Sequence, residues 1–347
     1  MSIPLGVPAP WFTAPSPLNP KFVFSSLGGR YIVLAFLPLP GPQRDAALAC
    51  IRDHAQAFTG PDLIFFGVLP DAESYAQARS DPPFQWFSDT EGEIRRAYAA
   101  IGPDGELAPQ WVVIDPSLRI LATARLEDGP RLIAGVVKLG APGDHAGVEL
   151  NAPVLIVPRV FEPQICRRLI DLYESQGGTP SGVMREKDGK TVGVLDDFKK
   201  RRDAQIEDPD LRDQLRARIN LRLAPELVRA FQYKAECIER YIVACYDASD
   251  GGYFRPHRDN TTAGTMHRRF AVSINLNAEA FEGGDLRFPE FGPRTYRPPT
   301  GGAVVFSCSL LHEATPVTRG TRYAFLPFLY DNESKRVREA NQHLVEV

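Results

Sequence analysis

The sequence predicts two domains, an α/β domain followed by a mainly β domain with flanking helices, and three observations lead there. The chain has 347 residues, beyond the length at which one hydrophobic core usually stops growing. Over about the first 140 residues, strand-like and helix-like segments alternate, the order of a parallel sheet with crossover helices. Beyond about residue 150 the texture becomes helices first and then five or more short strands, which fits an antiparallel sheet or jelly-roll barrel with helices packed outside.

In the first half, Tyr31 to Leu37 (YIVLAFL) and Asp62 to Val68 (DLIFFGV) are continuous apolar runs of buried-strand type. Arg44 to Phe58 between them is helical in pattern. Thr90 to Ala100 predicts a helix capped by Thr90, with Glu93 completing a capping box. Trp111 to Asp115 and Arg119 to Ala124 predict a strand pair around Pro116-Ser117, and Arg131 to Leu139 a closing helix. Gly140 to Pro153 is rich in Gly, Pro and Asp, so the domains are set at residues 1–145 and 150–347.

In the second half, Phe161 to Ser175 and Asp208 to Phe231 predict helices. Ala235 to Asp247, Arg268 to Asn275, Asp285 to Phe288, Ala303 to Cys308 and Arg322 to Tyr330 predict strands. Gly177 to Lys200 and Asn260 to His267 carry no decodable pattern and are expected to be loops that hold substrate specificity.

The formal charge of -3 gives no global reason to expect nucleic acid or an anionic membrane as partner. No apolar run is long enough to span a bilayer and no secretory signal opens the chain, so a cytoplasmic location is expected. Cys50, Cys166, Cys237, Cys245 and Cys308 are scattered without a CxxC pair, which predicts reduced, buried thiols.

The chemistry is carried by FRPHRDN. A strand puts residues i and i+2 on one side, so His257 and Asp259 can reach one ion while Arg258 points away. Two imidazoles and a carboxylate on one face of a metal leave the other face open, the facial triad of non-haem Fe(II) oxygenases. His312, after the buried run AVVFSCSLL, supplies the third ligand, and Arg322 lies further on, expected on an adjacent strand facing the same interior, where a guanidinium can pair with a carboxylate. His54, His145, His267 and His343 have no partner at ligand spacing. Arg255, Arg258, Arg268 and Arg269 make the neighbourhood basic, to meet an anionic substrate or simply as a solvated face.

From APVLIVPRVFEPQICRRLIDLYES through YDASDGGYFRPHRDN, EGGDLRF, PTGGAVVFSCSLLHEATPV and GTRY, the chain resembles the 2-oxoglutarate oxygenases of the prolyl 4-hydroxylase type. The resemblance implies a double-stranded β-helix in which His257, Asp259 and His312 bind Fe(II), Arg322 grips 2-oxoglutarate and Tyr246 hydrogen-bonds the same carboxylate. It also implies O2 as oxidant, with ascorbate a candidate reductant, and a hydroxylated protein or peptide side chain. A free amino acid or small metabolite is the alternative substrate. The carboxylate of Asp259 favours hydroxylation, since related halogenases vacate that position for halide.

The first half, through GVPAPWFTAPS, GGRYIVLAFLPLPGP, PFQWFSDTEGEIRRAYAAIG and WVVIDPSLRILAT, resembles peroxiredoxins and implies a thioredoxin-like fold. That family's nucleophilic Cys should follow the first core strand, but Gln43, Arg44 and Asp45 stand there, and Cys50 lies inside the helical pattern. The supporting arginine is also replaced, by Pro109 and Gln110. A redox-dead module for docking or homodimerisation is expected, with a thiol peroxidase or a non-catalytic binding module as the contrasting readings.

Overall fold

A computed structural model describes residues 3–17, 19–78, 84–102 and 104–346. The chain divides into two compact units, Met1–Asn151 with Pro289–Pro293, and Ala152–Phe288 with Arg294–Val347. No helix among the described residues is long and apolar enough to cross a membrane.

The first unit is built on a five-stranded sheet in the order Gln85–Ser88, Leu63–Leu69, Tyr31–Phe36, Gln110–Ile114, Ile120–Arg125. The first three strands are parallel, but Gln110–Ile114 runs antiparallel to Tyr31–Phe36, so the sheet is mixed rather than purely parallel. The apolar run of Tyr31–Phe36 is buried throughout because both sheet faces are covered. Ile32, Leu34 and Phe36 join Phe66, Phe87 and Tyr98 on one face. Tyr31, Val33 and Ala35 join Cys50, Ile51, Trp111 and Ile133 on the other, under the helices Pro42–Asp53 and Gly129–Val136.

The expected capping box at Thr90 does not form. The helix spans only Glu93–Ala97, behind Gly92 at φ 69°. Asp89 takes over the capping: its carboxylate accepts from the Ile94 and Arg95 amides at 3.0 and 2.9 Å and pairs with the Arg95 guanidinium at 3.1 Å.

In the second unit, a large antiparallel sheet runs through Cys237–Glu239, Phe328–Tyr330, Phe270–Asn275, Thr321–Phe325, Ile242–Asp247, Arg202–Gln205 and Thr179–Pro180, and Ala303–Ser307 pairs with Phe270–Asn275. A smaller sheet orders Lys199–Lys200, Tyr253–His257, His312–Ala314, Leu286–Arg287 and Thr295–Tyr296. Strand alternation divides the burial. Val243 and Cys245 face the core under the helices, while Ile242, Ala244 and Tyr246 share a second core with Ala314 of the smaller sheet.

Three segments differ from expectation. The helix of residues 209–231 contains a π turn at Ile219–Leu223, just before Pro225, which has no N–H for the regular ladder. The strand expected over Ala235 to Asp247 breaks at Arg240, and that over Arg322 to Tyr330 breaks at Pro327. The segment Gly177 to Lys200 contains a hairpin, Val183–Lys187 with Lys190–Val194, turned by Asp188 and Gly189 at φ 53° and 76°. Positive φ at both central residues is what a two-residue type I′ loop requires.

Candidate metal and co-substrate site

His257 ends the strand Tyr253–His257 and is the register partner of His312, the first residue of His312–Ala314. Asp259 is not on the strand, contrary to the i, i+2 expectation. It sits in the following turn, pinned by its amide donating to the Cys308 carbonyl at 2.9 Å. Arg258 does not point to solvent either; it is buried and donates to the Ser309 carbonyl.

The ligating atoms of His257, Asp259 and His312 lie within 4.8 Å of one another. Asp259 is 3.6 Å from Nε2 of His257 and 3.4 Å from Nε2 of His312. Neighbouring ligands of an octahedral ion with bonds of about 2.1 Å are about 3 Å apart, so a small inward movement lets all three share one ion.

The imidazoles are oriented for this. Nδ1 of His257 bonds the Arg255 carbonyl at 2.8 Å, and Nδ1 of His312 the Leu310 carbonyl at 3.0 Å. A carbonyl only accepts, so each Nδ1 carries the hydrogen and each Nε2 presents its lone pair. Phe254 stacks on His257 with ring centroids 3.4 Å apart, and Phe306 meets the His312 ring at 4.5 Å. Burial first, and then His257, hold the His312 pKa down to about 4, which leaves it neutral. Burial opposes ionisation of Asp259, but His312 and His257 outweigh it and hold the carboxyl far below its usual range.

Arg322 is 2% exposed and lines the same cavity. It reaches the site differently from expectation. Its strand, Thr321–Phe325, belongs to the large sheet and His312–Ala314 to the small one, so the two residues face each other across the inter-sheet core. Its terminal nitrogens donate to the Gly284 carbonyl at 2.7 Å and Ser273 Oγ at 2.9 Å, while Nε is buried without a partner. An orphaned donor on a buried guanidinium fits an anion site. Tyr246 is the register partner of Arg322, whose guanidinium lies 5.1 Å from the Tyr246 ring centroid. The Tyr246 hydroxyl is 3.4 Å from Arg201, which also pairs with both oxygens of Asp203.

Ser273, Arg201, Asp203 and Arg240 are not signalled by the sequence. Only Gly284 had a cue, in EGGDLRF: at φ +66°, an added Cβ would meet Val317 at 2.8 Å and Arg322 Cδ at 3.3 Å. Of the remaining histidines, His267 is buried and bonded to Glu239, while His54 and His145 bond backbone carbonyls. Arg268 pairs with Glu239 at 2.7 Å and Arg269 donates to Ser334 at 2.8 Å, so neither belongs to a bare solvated face. Cys50 is buried inside the helix Pro42–Asp53, and burial, then Asp53, push its thiol pKa up.

Residues 241–330, which contain the triad, Tyr246 and Arg322, match the 2OG-Fe(II) oxygenase superfamily. This segment is a 2OG-Fe(II) oxygenase domain. A PKHD-type hydroxylase of Synechococcus sp. (strain JA-3-3Ab) is 29% identical over 97 residues, which are 26% of this chain and 42% of that relative. The chain therefore spans less than half the length of that relative. Among solved structures, a Trichoplax adhaerens prolyl hydroxylase in complex with a hypoxia inducible factor peptide is 19% identical at TM-score 0.41, covering 55% of this chain and 87% of its own. A Plasmodium vivax 2-Cys peroxiredoxin is 18% identical at TM-score 0.33, covering 38% of this chain and 95% of its own. The oxygenase domain takes its donor set from strands of the smaller sheet and the turn after one of them, and its buried guanidinium from the larger sheet.

Proposed function

We propose that the second unit is an Fe(II)- and 2-oxoglutarate-dependent dioxygenase that hydroxylates a protein or peptide side chain, with its two sheets forming a double-stranded β-helix. The observation that carries this is the convergence of His257, Asp259 and His312 beside the buried Arg322. Hard and borderline donors, two neutral imidazoles and one carboxylate, suit Fe(II) and leave open positions. Bound Fe(II) would supply O2 activation coupled to decarboxylation of 2-oxoglutarate.

The chain's own contribution is binding, orientation and exclusion of water. Arg322 would take the distal carboxylate of the co-substrate through Nε and its remaining hydrogens, with Ser273 and Gly284 fixing the plane of the fork. Tyr246 would assist from the neighbouring strand. Leu286, Phe306 and Ala314 make the wall between them apolar, so charge interactions there act in a low dielectric. The first unit would serve docking or self-association. The test is incubation of the full chain with Fe(II), ascorbate, 2-oxoglutarate and candidate peptides, read by mass spectrometry for an added oxygen and by succinate release. Succinate release that is independent of Fe(II), or its absence, would refute the reading.

A further inference from the structure

Arg240 stands where two strands break opposite each other. It separates Cys237–Glu239 from Ile242–Asp247 and holds φ 69°, a conformation that a residue with a side chain rarely adopts. On the paired strands the break falls at Leu326 and Pro327, and Arg240 Nε donates to the Leu326 carbonyl at 2.9 Å across it. The guanidinium carbon lies 4.3 Å from the centroid of the Phe328 ring, which also carries Arg268 at 4.1 Å. Nε is spent on the backbone and the guanidinium lies on the ring, and Arg240 lines the cavity together with His257, Asp259, His312 and Arg322.

Among the described residues no carboxylate forms an ion pair with Arg240, and the nearby ones are committed. Asp203 gives both oxygens to Arg201. Glu239 gives one oxygen to His267 and the other to Arg268. Asp259 stands in the triad. Burial, then repulsion from Arg201 and Arg268, lower the Arg240 pKa to about 10, although Asp203 and Asp259 attract the cation from a distance. A half-buried guanidinium that opens on a cavity and has no ion pair can still take an anionic ligand there.

We propose that Arg240 binds a carboxylate of the primary substrate, which makes that substrate an acid. The inference rests on the reading of the triad and Arg322 given above. On that reading a divalent cation, the Asp259 carboxylate, the dianionic co-substrate and Arg322 balance one another, Arg201 is paired with Asp203, and among the described residues that line the cavity Arg240 is the cation left without an ion pair. Its two terminal nitrogens, which make no ion pair among the described residues, match the two oxygens of a carboxylate. The carboxylate has two sources: the α-carboxylate of a free amino acid, or an acidic side chain or C-terminus beside the hydroxylated position of a peptide.

The test uses the full chain with Fe(II), ascorbate and 2-oxoglutarate and reads substrate-stimulated succinate release. The probes are the free amino acids against their C-terminal amides, and end-capped tripeptides flanked by Glu against the same tripeptides flanked by Gln. The wild type should prefer one acid series over its neutral counterpart by about tenfold or more in kcat/KM, the worth of one charge-assisted pair. Arg240→Met should reduce that preference to below about threefold, with Arg240→Lys retaining part of it, while 2-oxoglutarate half-saturation moves by less than about threefold in both. The series that responds identifies the source. No acid preference in the wild type overturns the proposal, and so does an Arg240→Met protein that keeps the preference but requires far more 2-oxoglutarate. Wild-type protein without any Fe(II)-dependent succinate release removes the site reading and this inference together; release without acid preference removes this inference alone.

Discussion

His257 and His312 are direct register partners on antiparallel strands, with ring centroids 4.3 Å apart and each Nδ1 tied to the carbonyl two residues before it. The pairing makes two imidazoles from distant parts of the chain into one preformed bidentate surface. Asp259 then needs only the turn after His257 to complete it.

Removing one member should therefore cost metal affinity rather than folding. His312→Ala or Asp259→Ala should weaken Mn(II) binding, followed by paramagnetic resonance titration, by at least about a hundredfold, beyond the effect of losing an outer partner of a ligand. Succinate release should fall to background in both. Unchanged Mn(II) titration in either variant contradicts the assignment of that residue.

Arg322 and Gly284 should act on the co-substrate together. Arg322→Ala removes a buried charge-assisted partner, a loss of about 2–5 kcal/mol, and should raise the 2-oxoglutarate requirement well over tenfold. Gly284→Ala should do the same more weakly while lowering Tm, because the new Cβ is strained at φ +66° and presses on Val317 and Arg322. Ser273→Ala removes a single neutral bond to the fork, worth about 1 kcal/mol, and should cost less than either. A co-substrate titration that does not respond to Arg322→Ala rules out the anchoring role.

The triad, Tyr246 and Arg322 are legible in the sequence because metal and carboxylate chemistry restricts the residue types that serve, and spacing does the rest. Ser273 is not, since it meets Arg322 only through the register that sets Asn275 against Ala324. Arg240 is hidden for a related reason: Pro327 announces one strand break by itself, but the matching break opposite it depends on tertiary pairing. The Asp188-Gly189 turn has its dipeptide as a cue, but the strands beside it, Val183–Lys187 and Lys190–Val194, are half-exposed and too polar to show the apolar alternation that would frame it as a hairpin. In the first unit, Tyr31–Phe36 is unambiguous because both faces are buried, whereas the five-residue helix after Asp89 is too short for periodicity to register.

Cys50 should behave as a core residue. The residue is 7% exposed, its thiol pKa is raised by burial and then by Asp53, and it packs with Ile51, Trp111 and Ile133. Alkylation at neutral pH, mapped by mass spectrometry, should modify the half-exposed Cys237 before Cys50. The protein should consume no peroxide with a thiol donor. Peroxide consumption lost on Cys50→Ser would show that the helix opens to admit substrate.

Glu239 gives the second unit a stability that depends on acid pH. Burial opposes its charge, but the bonds to His267 and Arg268 outweigh burial and hold its pKa at about 2. In the unfolded chain a Glu carboxyl titrates near about 4.3, so the folded state binds that proton less well. The resulting stabilisation, on the order of 3 kcal/mol, is fully present above about pH 4.5 and is lost as pH falls toward 2. Glu239→Gln should accordingly melt several degrees below wild type at neutral pH. The gap should narrow below about pH 4.5 and be largely closed near pH 2, where both proteins carry a neutral side chain at this position. A gap that stays constant from pH 7 to the acid limit would assign the loss to packing around Phe328 and Tyr330 instead of to the charge.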